Sequence, residues 1–175
     1  MKRSWLALVG SALAFAGCAS PSVENYRSEQ PVLDLARYFN GELDAHGMFQ
    51  DRSGKVVKRF TVRIEGRWSG NVGTLDEKFT YADGTTSRRV WRIEKLDENR
   101  YRGTADDVVG VAEGEAYGNA LRWRYVLRLP VDEKVYEVDF DDWMFLVDDT
   151  VMLNRSRMSK FGFTLGEVTL SFHKR

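Results

Sequence analysis

The sequence predicts an all-β fold, an antiparallel up-and-down β-barrel of about eight to ten strands with one short N-terminal helix. Three observations lead there. Apolar and polar residues alternate with a period of two along most of the chain. Turn-forming residues separate these runs at short intervals. A single segment has the spacing of a helix.

The chain opens with Lys2 and Arg3, then an apolar run from Leu6 to Ala16 that leads into Gly17 and Cys18. A positive start, a short apolar stretch and small residues before a cysteine form a secretory signal with a bacterial lipobox. The run falls well short of the roughly 20 apolar residues of a membrane-crossing helix. Residues 1–17 are therefore expected to be a signal peptide, and Cys18 the lipidated residue. Buried acyl chains contribute about 0.8 kcal/mol per CH₂, so several of them hold a protein on a bilayer. Ala19, not aspartate, follows the cysteine, the pattern of sorting to the outer membrane. The expected place is the bacterial outer membrane, lipid-anchored and facing the periplasm.

Residues 18–31, rich in Ser20, Pro21, Ser22, Asn25, Ser28 and Pro31, read as a flexible tether. Residues 32–175 read as a single barrel domain. Val32, Leu35, Ala36 and Phe39 share one helical face, and Asn40-Gly41 stops the helix. Such a helix would plug one end of the barrel. The alternating runs follow: Phe60 to Ile64, Leu75 to Tyr81, Arg89 to Ile93, Leu121 to Leu129, Tyr136 to Phe140 and Val168 to Phe172. Turns are expected at Asp51 to Gly54, Asp83-Gly84, Asp97 to Asn99, Gly118-Asn119 and Pro130 to Glu133.

One hairpin can be registered from the sequence. With Pro130 to Glu133 as a four-residue loop, Leu127 faces Tyr136, Tyr125 faces Val138 and Trp123 faces Phe140. Arg124 then faces Asp139, and Arg122 faces Asp141, on the other side. The charged face carries both signs densely, which lipid does not tolerate, so a membrane-spanning barrel is the wrong reading. The charged face is the outer, wet one, and the aromatic face points inward.

Composition narrows the chemistry. Basic and acidic residues balance at 26 each, which points away from nucleic acid. Without residues 1–17 the balance tips slightly acidic. Cys18 is the only cysteine, so no internal disulfide forms. Two histidines, His46 and His173, stand far apart in the chain, and neither zinc spacing nor a nucleophile-elbow or phosphate-loop motif occurs. No metal, cofactor or catalytic residue is expected, and an enzyme is the less favoured reading.

The inward faces supply the candidate ligand-binding residues: Glu77, Phe79, Tyr81, Arg89, Trp91, Trp123, Tyr125, Tyr136, Phe140 and Asp142. A carboxylate among aromatics needs a partner. Arg89 reaches Glu77 if the Asp83-Gly84 hairpin carries a bulge; a strict two-residue turn puts Arg88 and Val90 on that face instead. Glu77–Arg89 is then either a structural ion pair or a grip for a ligand's head group. Asp142 shares the inward face with Phe140, whereas Asp139 and Asp141 are matched to arginines outside. Asn154, Arg155 and Lys160 are further polar candidates near a barrel end, read by default as solvated surface. Gly103, Ala105, Gly110, Ala112, Gly114, Ala116 and Gly118 either leave room for a cavity or permit bends.

Several stretches resemble a bacterial family of uncharacterised lipoproteins, domain of unknown function 3833. They are Phe39 to Gly41, Gly47 to Lys55, Glu77 to Gly84, Arg89 to Ile93, Gly114 to Ala120, Phe140-Asp141-Asp142-Trp143-Met144 and Lys160-Phe161-Gly162. The resemblance brings no catalytic residues and implies no more than a connection to lipid. The expected barrel is lipocalin-like by analogy of fold alone. Three functions fit: a barrel that binds a hydrophobic ligand such as a fatty acid or lipid derivative, a filled barrel that serves as an interaction or structural lipoprotein, and a lipid-modifying enzyme using Glu77 or Asp142. A filled interior favours the second, an open one with an unpaired carboxyl the third, and an open one with a paired carboxyl the first.

Overall fold

Ten antiparallel strands close on themselves in a computed structural model that describes residues 21–131 and 133–175. The expected signal peptide and lipidated Cys18 lie outside the described residues. The strands are β1 (Gly41–Asp51), β2 (Val56–Ser69), β3 (Val72–Tyr81), β4 (Thr86–Lys95), β5 (Arg100–Thr104), β6 (Val108–Tyr117), β7 (Ala120–Val131), β8 (Lys134–Leu146), β9 (Val151–Lys160) and β10 (Phe163–Lys174). Each pairs with its neighbours in sequence, and β1 pairs with β10 to complete the up-and-down barrel. Closure leaves no free sheet edge among the described residues. Alternation fixes the faces: Phe60, Val62 and Ile64 of β2 are buried, while Thr61, Arg63 and Glu65 between them are exposed. Ion pairs lace the outer wall, among them Arg88–Asp76, Arg102–Glu94 and Arg155–Glu167.

The hairpins explain the registers. Between β3 and β4, the Tyr81 N–H donates to the Thr85 carbonyl and the Gly84 N–H to the Tyr81 carbonyl, with Gly84 at φ +84°. This three-residue loop with a left-handed glycine is the bulged turn, and it sets Glu77 opposite Arg89. The β7–β8 hairpin corrects the expected register. Val131 pairs with Lys134, so the strands run further than a four-residue loop allows. Leu127 faces Val138, Tyr125 faces Phe140 and Trp123 faces Asp142. The displacement is two residues, an even number, so every side chain keeps its expected face. Arg124 stands opposite Asp141, not Asp139, and Arg122 reaches Asp141 along the diagonal at 2.7 Å.

The N-terminal segment is more ordered and less helical than its sequence indicates. Helix α1 spans only Leu35–Tyr38, and Val32 of the expected stripe is exposed. Asp34 caps it, accepting from the Arg37 N–H at 2.9 Å, and holds Lys95 at 2.6 Å. At its other end the Lys174 ammonium donates to the carbonyls of Arg37, Tyr38 and Asn40. Leu33, Leu35 and Phe39 are buried in the core, so this single turn does plug one end of the barrel. Each such side chain contributes roughly 1.5–3 kcal/mol by burial. Residues 22–31, expected as tether, also lie on the barrel. A 3-10 turn at Val23–Tyr26 buries Val23, and the Tyr26 ring packs edge-on against Phe145 of the outer wall. Gly118 makes room for this: a Cβ there would strike the Tyr26 backbone.

The small residues of β5 and β6 have a third role besides cavity and bend. Gly103 and Gly114 form a seat for Trp123. A Cβ on Gly103 would lie 2.6 Å from the indole Cζ2, and one on Gly114 would strike its Cε3. The indole therefore runs sideways along the wall from β7 across β6 to β5 and leaves the barrel's centre free. Gly114→Ala is expected to cost about 1–3 kcal/mol by overpacking, read as an earlier midpoint in urea unfolding. Adding Trp123→Leu should restore part of the loss. An unchanged midpoint in Gly114→Ala would contradict the seat.

Candidate functional site

The barrel interior holds a cavity of about 390 Å³, within the roughly 300–1,000 Å³ common for small-molecule sites. Its floor is Leu35 and Phe39 of the plug. From there it runs between Ile64, Leu75 and Phe172 to Tyr81, Ser87 and Pro130 at the opposite rim. Of the residues expected to line it, Glu77, Phe79, Tyr81, Arg89, Trp91, Trp123, Tyr125, Phe140 and Asp142 all do. Tyr136 does not. The corrected register places it opposite Leu129 near the rim, where it is 39% exposed.

Aromatic rings form the walls. Tyr125 stacks on Phe140 with centroids 5.1 Å apart, and Trp91 meets Tyr125 edge-on at 5.4 Å. Phe79 and Tyr81 stack on the far side. These contacts hold the rings against one another, which favours a lumen of fixed shape.

A polar group interrupts this lining. The Arg89 guanidinium donates to Asp107, with Nη2 2.7 Å and Nε 2.9 Å from Oδ2. Glu77 is directly opposite Arg89 in the sheet, yet it has no hydrogen bond or ion pair among the described residues. Its carboxyl is enclosed by the barrel and borders the cavity. Burial pushes it up to about 7, against the attraction of Arg89 and with help from the Asp107, Asp142 and Asp76 charges. Asp142, only 7% exposed, accepts from the Ser156 hydroxyl and, at 3.3 Å, from the Tyr125 hydroxyl. Burial pushes Asp142 up to about 7 as well, and these two bonds oppose the rise. Burial, then the nearby Asp142 charge, drives the Tyr125 hydroxyl well above its ordinary value.

The expected Glu77–Arg89 ion pair is thus replaced by Arg89–Asp107. Asp107 sits in the β5–β6 connection, where no alternation marks its direction, and no sequence signal pointed to it. Asn154, expected as a solvated residue near a barrel end, is instead buried within β9, and Ser156 was not singled out; the alternation of Met152, Asn154, Ser156 and Met158, all four buried, is the signal that could have found both. Arg155 pairs with Glu167 on the outer wall, and Lys160 donates to the Glu137 carbonyl at 2.6 Å near the rim. The two distant histidines meet on the outside, ring centroids 6.0 Å apart, through the β1–β10 closure.

The family described as "Protein of unknown function (DUF3833)" matches residues 12–174. The chain belongs to this family. No curated protein matches it. Among solved structures it is similar to the S-type phycobiliprotein lyase CPES from Guillardia theta. Identity is 8%, the TM-score is 0.61, and the match covers 89% of this chain and 98% of the lyase. It also matches a de novo designed fluorescence-activating β-barrel at 14% identity and TM-score 0.44, covering 82% of this chain and 99% of the designed one. At such identities the lyase likeness concerns the fold alone.

The two raised carboxyls give a pH signature. Both bind a proton more tightly folded than unfolded, so the stability they confer is present below the ordinary carboxyl range and lost as pH rises through about 7. Asp76 and Asp97 are held below their ordinary range, by Arg88 and by the Asn99 N–H respectively, and act only at lower pH. Between about pH 5 and 8, the stability of the wild type against thermal unfolding should fall by on the order of 1–3 kcal/mol per group, less than additively because the two interact. Glu77→Gln should flatten that slope. A slope identical to wild type would show that Glu77 titrates in its ordinary range.

Proposed function

We propose that this member of the family is a lipid-anchored, periplasm-facing lipoprotein that holds a hydrophobic or amphipathic small molecule inside its barrel. One observation carries the reading: an apolar, aromatic-walled cavity, closed at one end by α1 and reaching the rim at the other, with buried polar groups on its wall. A membrane lipid or fatty acyl derivative fits such a lining. Glu77, Phe79, Tyr81, Arg89, Trp91, Trp123, Tyr125, Phe140 and Asp142 would contact the ligand. A filled interaction module is the weaker reading, because the side chains leave the interior open.

The second reading that an observation favours is an enzyme acting on a lipid. Glu77 is unpartnered among the described residues and has a carboxyl near neutrality, the condition for a general acid or base. It predicts that a bound lipid emerges chemically changed. The binding reading predicts that it is recovered intact.

Lipid attachment at Cys18 adds an orientation. Residues 22–40 lie at the plugged end, beside Gly118 and Phe145. Few residues separate Cys18 from that point, at about 3.5 Å of reach each. An anchored protein would hold its plugged end towards the membrane and its cavity mouth away from it.

Two measurements check these statements. N-phenyl-1-naphthylamine, a neutral apolar fluorophore, should brighten on titration into protein lacking residues 1–17 and carrying Cys18→Ser. A bulky substitution on the wall, Ser156→Phe, should abolish the signal while the protein stays folded. No fluorescence change in the unsubstituted barrel would oppose the binding reading. For the anchor, the full-length chain should sediment with outer membranes, and Cys18→Ser should release it to the periplasm. Retention of Cys18→Ser on membranes would contradict lipidation as the attachment.

A further inference from the structure

The polar groups inside the barrel are unequally matched, and the inequality points to a class of ligand. Among the described residues, Arg89 is the cation of the inner cavity wall, and Asp107 already holds it through two N–H groups. Arg88 and Arg128 reach the cavity only from its rim. Arg88 is turned out to a bidentate pair with Asp76, and the exposed Arg128 donates to the Asp106 carbonyl. Two carboxyls remain. Glu77 has no partner among the described residues, and Asp142 is supported only by the neutral hydroxyls of Ser156 and Tyr125. They share one chamber, close enough that the Asp142 charge acts on Glu77. The carboxyls of the interior therefore outnumber its cations, and their free lone pairs are acceptors.

A ligand with an anionic head meets this arrangement badly. It would find the charge of Arg89 already balanced by Asp107, and would bring a further negative charge beside Glu77 and Asp142. A ligand with a donating, positively charged head supplies what the site lacks: a counter-charge for Glu77 and N–H groups for two carboxyls. Hydrogen bonds to charged groups are among the stronger ones in proteins. We propose, on the footing of the ligand-binding reading above, that the cavity takes an amphipathic amine, with Glu77 as the principal acceptor of its head and Asp142 as the second. The apolar tail lies along Phe79, Trp91, Tyr125 and Phe140. Carboxylates of the same length are disfavoured.

Isothermal titration of protein lacking residues 1–17 and carrying Cys18→Ser, with dodecylamine, dodecanol and dodecanoate, tests the assignment. Dodecylamine should bind about tenfold or more tighter than dodecanoate, with dodecanol between them. Glu77→Gln should bring amine and acid to within about threefold and leave dodecanol nearly unmoved. Asp142→Asn should produce a smaller change in the same direction. Thermal unfolding of each variant shows that it is folded. Dodecanoate binding as tightly as the amine, or tighter, would overturn the head-group assignment and leave the ligand-binding reading standing. An amine preference that survives both substitutions would overturn the roles of Glu77 and Asp142. Failure of all three ligands, together with failure of the neutral fluorophore, would instead sink the ligand-binding reading, and the assignment with it.

Discussion

A closed sheet of ten strands encloses more space than its own inward side chains fill. Eight strands give an interior about wide enough for side chains to pack shut, and width grows with each strand added. Everything distinctive about this protein follows from that constraint. Half of the residues of each strand must face inward, and closure forbids the wall from collapsing on them. The chain meets the surplus at one end only, where α1 lowers Leu35 and Phe39 into the barrel and Lys174 and Asp34 fix the turn in place. Further along, the largest side chains are laid against the wall. Trp123 occupies the seat left by Gly103 and Gly114, and Tyr125 lies flat on Phe140. The remaining space is the cavity.

The polar residues on the cavity wall run against stability. A buried carboxyl without a partner costs free energy, and an apolar residue of the same shape at position 77 would be expected to serve the fold better. Arg89 needs Asp107 to be tolerated inside, yet no cation among the described residues is given to Glu77. Asp142 is supported by two hydroxyls, which neutralise nothing. Local conflicts of this kind concentrate at functional sites. Their position inside the cavity, among aromatics, ties them to whatever enters it.

Much of the fold was legible because the period-two pattern is also the physical rule of a wet-outside barrel. The alternation of Leu121 to Leu129 against Tyr136 to Phe140 set the faces correctly even where the register was displaced by two, since an even slip preserves them. The bulged Asp83-Gly84 turn that brings Glu77 opposite Arg89 was one of two options in the sequence; the bond from the Tyr81 N–H to the Thr85 carbonyl, with Gly84 but not Asp83 left-handed, decides between them. Less was legible where no period operates. Residues 22–31 have the composition of a linker, but Val23 and Tyr26 find a site on the wall that only the folded barrel creates. Asp107 takes Glu77's expected place at Arg89 from a loop, where direction depends on the turn and not on parity. Tyr136 fails as a lining residue because its strand runs further than the Pro130 loop had implied. The glycines of β5 and β6 were open to two readings because what they accommodate, Trp123, is brought over them by strand order alone.

On the binding reading, the interior of the barrel is a chamber that takes a ligand. Native mass spectrometry of the mature domain, carrying Cys18→Ser and expressed in a bacterial envelope with its own lipids, addresses it most directly. The expected result is a co-purifying mass that extracts into organic solvent and is lost when Ser156→Phe fills the chamber. A clean apo mass, unchanged after incubation with long-chain amines, alcohols, fatty acids and phospholipids, would contradict it.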